Sequence, residues 1–207
     1  MKQYLLPIAH PAFIMRGNYH LDPAQQEYLD RARRLLDNRW TPYNINEPPP
    51  GDIKLHPSYS DLVAFRLAAP PRTRWYYDIE CAGPVLRCVG FGYFQLDDTF
   101  SYVCVHLRTQ GGAVYEPDEL PLRARWLADV LNDEEILLVP HNGVSFDTRV
   151  LESVGFRVNS TLDDTMVKAH YAYPEMPKGL QFLAITHVGV TGWKSLVRED
   201  EDAEGKG

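Results

Sequence analysis

The sequence predicts a mixed α/β domain, a sheet covered on both faces by helices, and three observations carry that expectation. Three runs rich in aromatic and β-branched residues follow one another at Thr73–Glu80, Leu86–Leu96 and Thr99–Leu107. Helical periodicity then takes over from Pro117 to Leu131. After it a short apolar strand, Ile136–Pro140, runs directly into a second helix from about Val144 to Ser153. Strands first paired by a hairpin and then alternating with helices are the pattern of one sheet with helical crossovers. At 207 residues the chain is long enough for one full core and short for two.

Along the chain, Tyr4–Ile8 reads as a short strand and is followed by a helix to about Trp40. Asp22 is placed as N-cap, Pro23 at the first helical position and Gln25 as capping partner, with Ala24, Tyr28, Ala32 and Leu35 at helical spacing. Seven prolines between Thr41 and Pro71, including Pro48-Pro49-Pro50-Gly51, predict a linker or surface arm, interrupted by a brief helical turn over Asp61–Phe65. Asp97-Asp98 marks a tight hairpin between the second and third core strands. An extended piece ends near Asp164, and helices over about 164–172 and 178–188 follow. The expected divisions are therefore a strand-loop-helix extension at 1–40, an arm at 41–71, the α/β domain at 72–197 and an acidic tail at 198–207. This order suggests a ribonuclease H-like mixed five-stranded sheet flanked by helices, with an N-terminal strand-helix extension.

Composition narrows the classes. Apolar residues make up 44% and charged residues 24%, which excludes disordered and low-complexity chains. No apolar run approaches a membrane span and the first residues lack a secretory core, so a cytoplasmic protein is expected, in the host cytoplasm if the source is viral. Cys81, Cys88 and Cys104 are too few and too irregularly spaced along the chain to announce a zinc site or a disulfide framework, and buried reduced thiols are expected. Net charge is −7, and it is uneven: residues 1–72 carry nine Lys/Arg against seven Asp/Glu, whereas 73–197 carry ten against sixteen. An acidic middle argues against gripping nucleic acid by bulk charge and suits carboxylates that hold a divalent cation.

Two segments carry candidate chemistry. In Trp75-Tyr76-Tyr77-Asp78-Ile79-Glu80, strand alternation puts Asp78 and Glu80 on one face and Ile79 on the other. Two like-sided carboxylates repel unless a cation lies between them, and hard oxygen donors suit Mg²⁺ or Mn²⁺. An acidic pair at a strand end is also common as plain solvated surface. In His141-Asn142-Gly143-Val144-Ser145-Phe146-Asp147 a buried strand turns into a helix, so that Asp147 can present a third carboxylate near the same sheet edge. Asn142 at this junction reads equally as an N-cap and Phe146 as core.

These segments resemble the first two motifs of the DEDD, or DnaQ-like, 3′–5′ exonucleases: Asp78-Ile79-Glu80, and the pattern N-x-x-x-[FY]-D from Asn142 to Asp147. Asp163-Asp164-Thr165-Met166 and Lys178-Gly179-Leu180-Gln181-Phe182-Leu183-Ala184 resemble the approach to the third motif in proofreading domains of family A, phage-type DNA polymerases. The resemblance covers about 73–197. It implies that Asp78, Glu80 and Asp147 are catalytic residues ligating two Mg²⁺ or Mn²⁺ ions, and that Asn142 and Phe146 hold the nucleotide at a single-stranded DNA 3′ end, with RNA possible. The family's third motif, Y-x-x-x-D or H-x-x-x-x-D, has no counterpart in Ser195–Asp202. A fragment whose third motif lies further on is expected, as is slow or absent degradation by this chain alone. The alternative is a catalytically incomplete DNA-end-binding or scaffold module, completed by a polymerase domain or another chain. Leu5–Gly17, with His10-Pro11-Ala12 and Arg16, resembles the H-P-[AS]-x-x-x-R segment of the uracil-DNA glycosylase superfamily, which implies a remnant of such a domain.

Overall fold

The structure is a computed structural model that describes residues 50–83, 85–107 and 119–188, together with five helical positions, Gln26, Leu29, Asp30, Arg33 and Arg34. Those five positions lie within the helix expected before Trp40. The Tyr4–Ile8 strand, the glycosylase-like segment and the acidic tail lie outside the described residues. The chain divides into two compact units, Pro49–Thr165 and a second formed by Met1–Pro48 with Met166–Gly207. No described helix is long and apolar enough to cross a membrane.

The first unit is built on a six-stranded sheet: β1 (Gly51–Lys54), β2 (Arg74–Ala82), β3 (Val85–Phe94), β4 (Phe100–His106), β5 (Leu137–Val139) and β6 (Thr161–Leu162), in spatial order β1-β4-β3-β2-β5-β6. β2, β3 and β4 pair antiparallel, while β5 runs parallel to β2 and β6 parallel to β5. These five strands have the ribonuclease H-like order and directions. The sixth, β1, pairs parallel to β4 and corrects the expected count of five. It was hidden because Gly51-Asp52-Ile53-Lys54 offers one apolar residue beside three prolines. A Cβ on Gly51 would come within 2.6 Å of the Phe100 carbonyl carbon, so only glycine enters the sheet there. Pro50 lacks a donor, yet its carbonyl accepts from Phe100 N–H at 2.8 Å.

Three helices belong to this unit, α1 (Tyr59–Ala68), α2 (Glu119–Leu131) and α3 (Asp147–Ser153), and α4 (Thr165–Ala172) starts at its last residue. α1 is twice the expected single turn, and Ser58-x-x-Asp61 explains it. Ser58 caps the helix while the Asp61 carboxylate accepts from the Ser58 amide, a reciprocal capping box. Lys54 at the end of β1 donates to Asp61 at 2.6 Å, tying the strand to the helix start.

The core lies on the face of β2 that carries Trp75, Tyr77 and Ile79. Phe65 of α1 stands edge-on to Trp75 at 5.1 Å, and Trp126 of α2 meets Phe91 of β3 edge-on at 5.9 Å, geometries that the ring quadrupoles favour. The Tyr93 hydroxyl reaches into this layer and donates to the Phe65 carbonyl at 2.7 Å. At the hairpin Asp98 takes φ 64° and Asp97 accepts from Thr99 N–H at 3.1 Å, which is the turn chemistry that Asp97-Asp98 foreshadows.

Within the second unit, Met166 begins its share of α4, which is followed by α5 (Leu180–Leu183) and a π-helical turn, Ala184–Val188. Tyr173 and His187 pack ring on ring at 4.7 Å, and Lys178 Nζ donates to the carbonyls of Pro174 and Met176.

α2 is anchored by Arg123, which has no solvent exposure: it donates to the Pro57 carbonyl at 2.7 Å and to Glu119 one turn earlier at 2.8 Å. Removing a fully buried guanidinium strands those acceptors, so Arg123→Ala should cost about 3 kcal/mol in urea denaturation. Glu119→Gln, at a half-exposed partner, should cost less than about 1 kcal/mol.

Candidate active site

β2 is central to the sheet, and its two faces have opposite characters. Trp75, Tyr77 and Ile79 are buried, while Arg74, Tyr76, Asp78 and Glu80 point to the exposed face. Asp78 and Glu80 therefore stand on one side, as period-two geometry requires. Asp78 lies opposite Gly90 of β3 and Glu80 opposite Cys88. The register then slips, so that Cys81 faces Leu86 and Arg87 becomes an extra residue. A bulge of this kind bends the strand and re-aims the side chains beside it.

Beyond Tyr76↔Val139 the parallel pairing of β2 and β5 ends, and the turn from Pro140 to Phe146 crosses the carboxyl end of the sheet, where open α/β sheets place their ligands. α3 begins at Asp147, three residues later than the sequence suggests, because Asn142 adopts φ 67° and its carbonyl closes a turn onto Ser145 and Phe146 N–H. Asn142 is thus not the helix cap; that position is held by Phe146, whose ring is 52% exposed and not in the core. Asp164 clamps the turn. Its two carboxylate oxygens accept from Asn142 N–H at 3.0 Å and Val144 N–H at 3.1 Å. Thr165 adds a second brace, donating through its hydroxyl to the Pro140 carbonyl at 3.0 Å and meeting His141 Nδ1 at 2.9 Å.

Asp147 is 3% exposed. Burial, then the neighbouring charge of Asp78, and more weakly that of Asp164, push its carboxyl up to about 6. The thiol of Cys81 is likewise pushed up, by burial and by Asp147 and Glu80. Burial also raises Tyr77 to about 12, so its hydroxyl stays protonated near these carboxylates. Gly143 makes the close approach possible: a Cβ there would sit 2.9 Å from Asp147 Oδ2 and 2.7 Å from Pro140 Cγ.

The structure thus gathers Asp78 and Asp147 into one electrostatic neighbourhood, with Glu80 on the same face as Asp78. Asp78, Glu80 and Asp147 do not form a converged three-donor group. Among the described residues that description belongs to Cys88, Cys104 and His106. A buried carboxyl raised by a second carboxylate fits an oxygen-coordinated divalent cation, which would relieve the repulsion. Asp164 had no assigned role in the sequence, and the signal that could have found it is its neighbour Thr165, a helix-starting position preceded by an acid. The residues from Ser195 to Asp202, where the third motif was sought, lie outside the described residues.

No protein-family model matches the chain, and no curated protein matches it in sequence. Among solved structures, the chain is similar to one described as the apo form of the nuclease, at 20% identity and TM-score 0.44, with 70% of this chain and 61% of that chain covered. It is also similar to the EXD2 exonuclease domain soaked in Mg and GMP, at 19% identity and TM-score 0.34, covering 69% and 76%. The same domain soaked in Mn and GMP gives 20% identity and TM-score 0.34, covering 70% and 77%.

The raised Asp147 has a stability consequence. Its folded-state value lies above the ordinary carboxylate value, so ionisation costs stability; the cost is absent below roughly pH 4 and fully present above about pH 6. Asp147→Asn should therefore stabilise the metal-free protein at pH 7 by about 1–2 kcal/mol, allowing for water that reaches the neighbouring carboxylates. The gain should vanish by roughly pH 4. Thermal melts across pH in a chelating buffer check this, and a destabilised Asp147→Asn at pH 7 would contradict it.

Proposed function

We propose that this chain is a metal-dependent nuclease that hydrolyses phosphodiester bonds from a single-stranded DNA 3′ end in the 3′–5′ direction. The observation that carries the reading is the buried carboxyl of Asp147, raised by Asp78, at the carboxyl end of the adjacent parallel strands β2 and β5. A carboxylate held buried at that energetic cost beside a second carboxylate is a poor structural device and a good cation ligand.

In this reading Asp78, Glu80 and Asp147 hold Mg²⁺ or Mn²⁺. Two such ions, when bound, supply a water of lowered pKa and charge stabilisation for the leaving 3′-oxygen. The protein's own contributions are separate. The Asp164 clamp and Gly143 fix where the Asp147 carboxylate stands. The exposed ring of Phe146 offers a stacking platform to a terminal base, a contact that is tolerant of sequence. Asn142 starts the turn beside it and would contact the nucleotide from the same side.

A second reading, a DNA-end-binding module completed by a polymerase domain or another chain, draws support from the three carboxylates not converging by themselves. The two readings separate in one assay. With 5′-labelled single-stranded DNA and RNA in Mg²⁺ or Mn²⁺, the nuclease reading expects a ladder shortened from the 3′ end. Asp78→Ala or Asp147→Ala should reduce its rate by about 10²-fold or more, with oligonucleotide binding retained in chelator. Binding without any shortening favours the module. Shortening that survives Asp78→Ala rejects the proposed site.

A further inference from the structure

The exposed face of the sheet carries a second cluster of chemistry beside the carboxylates. Register alone places it: Glu80, Cys88 and His106 form one row across β2, β3 and β4, and Asp78, Gly90 and Cys104 form the next. Because side chains two apart share a face, Cys88, Cys104 and His106 all project to the side of Asp78 and Glu80. Cys88 lies directly opposite His106 and diagonal to Cys104. The two sulfurs and an imidazole nitrogen lie within 4.8 Å of one another. Cys104 is buried and the other two are half-buried. All three cysteines are free thiols.

We propose that Cys88, Cys104 and His106 form a binding site for one soft divalent cation of the Zn²⁺ class, distinct from the oxygen-donor site of the carboxylates. The donor set decides the class: two thiolates and an imidazole select Zn²⁺ over Mg²⁺, and three protein ligands leave a fourth position for water. The distances are compatible. Bonds of about 2.3 Å to sulfur and 2.1 Å to nitrogen place tetrahedral donors about 3.5–3.8 Å apart, so the present cluster closes by side-chain rotations that move each donor less than about 1 Å.

The imidazole is prepared for this. His106 Nε2 lies 2.8 Å from the Leu55 carbonyl, which only accepts, so in the neutral ring this contact favours the proton on Nε2 and orients the imidazole. His56 stacks on the ring at 5.0 Å and fixes its plane. The thiols already interact. Cys88 is drawn down by a hydrogen bond from Cys104, and Cys104 is pushed up by the same bond and by burial. A cation bound by both sulfurs would displace the thiol protons to solvent. The site would staple β3 to β4 in the two rows that continue from Glu80 and Asp78.

The test uses the reduced, metal-stripped 207-residue chain titrated with Co²⁺ in excess Mg²⁺. One Co²⁺ per chain should bind with thiolate-to-cobalt charge-transfer absorption and tetrahedral d–d bands, and equimolar Zn²⁺ should bleach them. Cys88→Ser should remove the charge-transfer band, and His106→Gln should weaken Co²⁺ at least tenfold. Cys81→Ser and Asp147→Asn should leave the spectrum intact, which separates this site from the carboxylates and from the proposed nuclease activity. A readout on the unaltered protein guards against variants that do not fold: Zn²⁺ should protect Cys88 and Cys104, but not Cys81, from iodoacetamide in peptide mass mapping. Absence of thiolate bands in the wild-type chain, bands that survive Cys88→Ser, or equal alkylation of all three cysteines with Zn²⁺ present would overturn the proposal.

Discussion

Everything in the first unit depends on β2 being paired along both edges at once. β3 binds one edge antiparallel from Tyr76 to Ala82, and β5 binds the other in parallel from Arg74 to Tyr76. A strand held from both sides cannot slip by one residue without turning Trp75, Tyr77 and Ile79 outward and forcing Asp78 and Glu80 into the aromatic layer. The hydrophobic effect that buries the three apolar side chains therefore also fixes the direction of the two carboxylates. The direction of the site's strand carboxylates is thus set by core packing.

The turn after β5 follows another logic. Asp147 is placed by backbone geometry: a left-handed Asn142, a glycine that leaves room, and amides tied to Asp164. None of these groups is apolar, and none gains from burial. The turn is held because its part-buried amides at Asn142 and Val144 find acceptors in the Asp164 carboxylate. The two halves of the candidate site thus rest on different forces, apolar packing for β2 and hydrogen-bond satisfaction for the turn.

This division explains what was legible beforehand. β2 to β5 show in the sequence because half-buried strands alternate and buried ones run apolar, so Trp75–Glu80 and Leu137–Val139 declare themselves. Residues governed by register or backbone torsion do not. Gly51–Lys54 has no pattern of its own and is a strand only because Phe100–Val103 offers an edge. The start of α3 shifts because a positive φ at Asn142 has no signature beyond the residue type. Cys88, Cys104 and His106 look unrelated along the chain and meet only once β3 and β4 are in register. The length of α1 was available in Ser58-x-x-Asp61, whose capping box outweighs the proline-rich surroundings.

The Asp164 clamp has a consequence for the order of events in folding. It closes a turn 20 and 22 residues earlier in the chain, and it is positioned by β6, whose pairing with β5 is two residues long. Loop-closure entropy must be overcome before so short a strand gains anything by docking. The hairpins β2–β3 and β3–β4 involve only nearby segments and can form first. Contact order therefore favours orienting the carboxylates of β2 before β6 docks and brings the Asp164 clamp onto the turn that holds Asp147. Local opening at that edge would uncouple Asp147 from Asp78 while leaving the aromatic core intact.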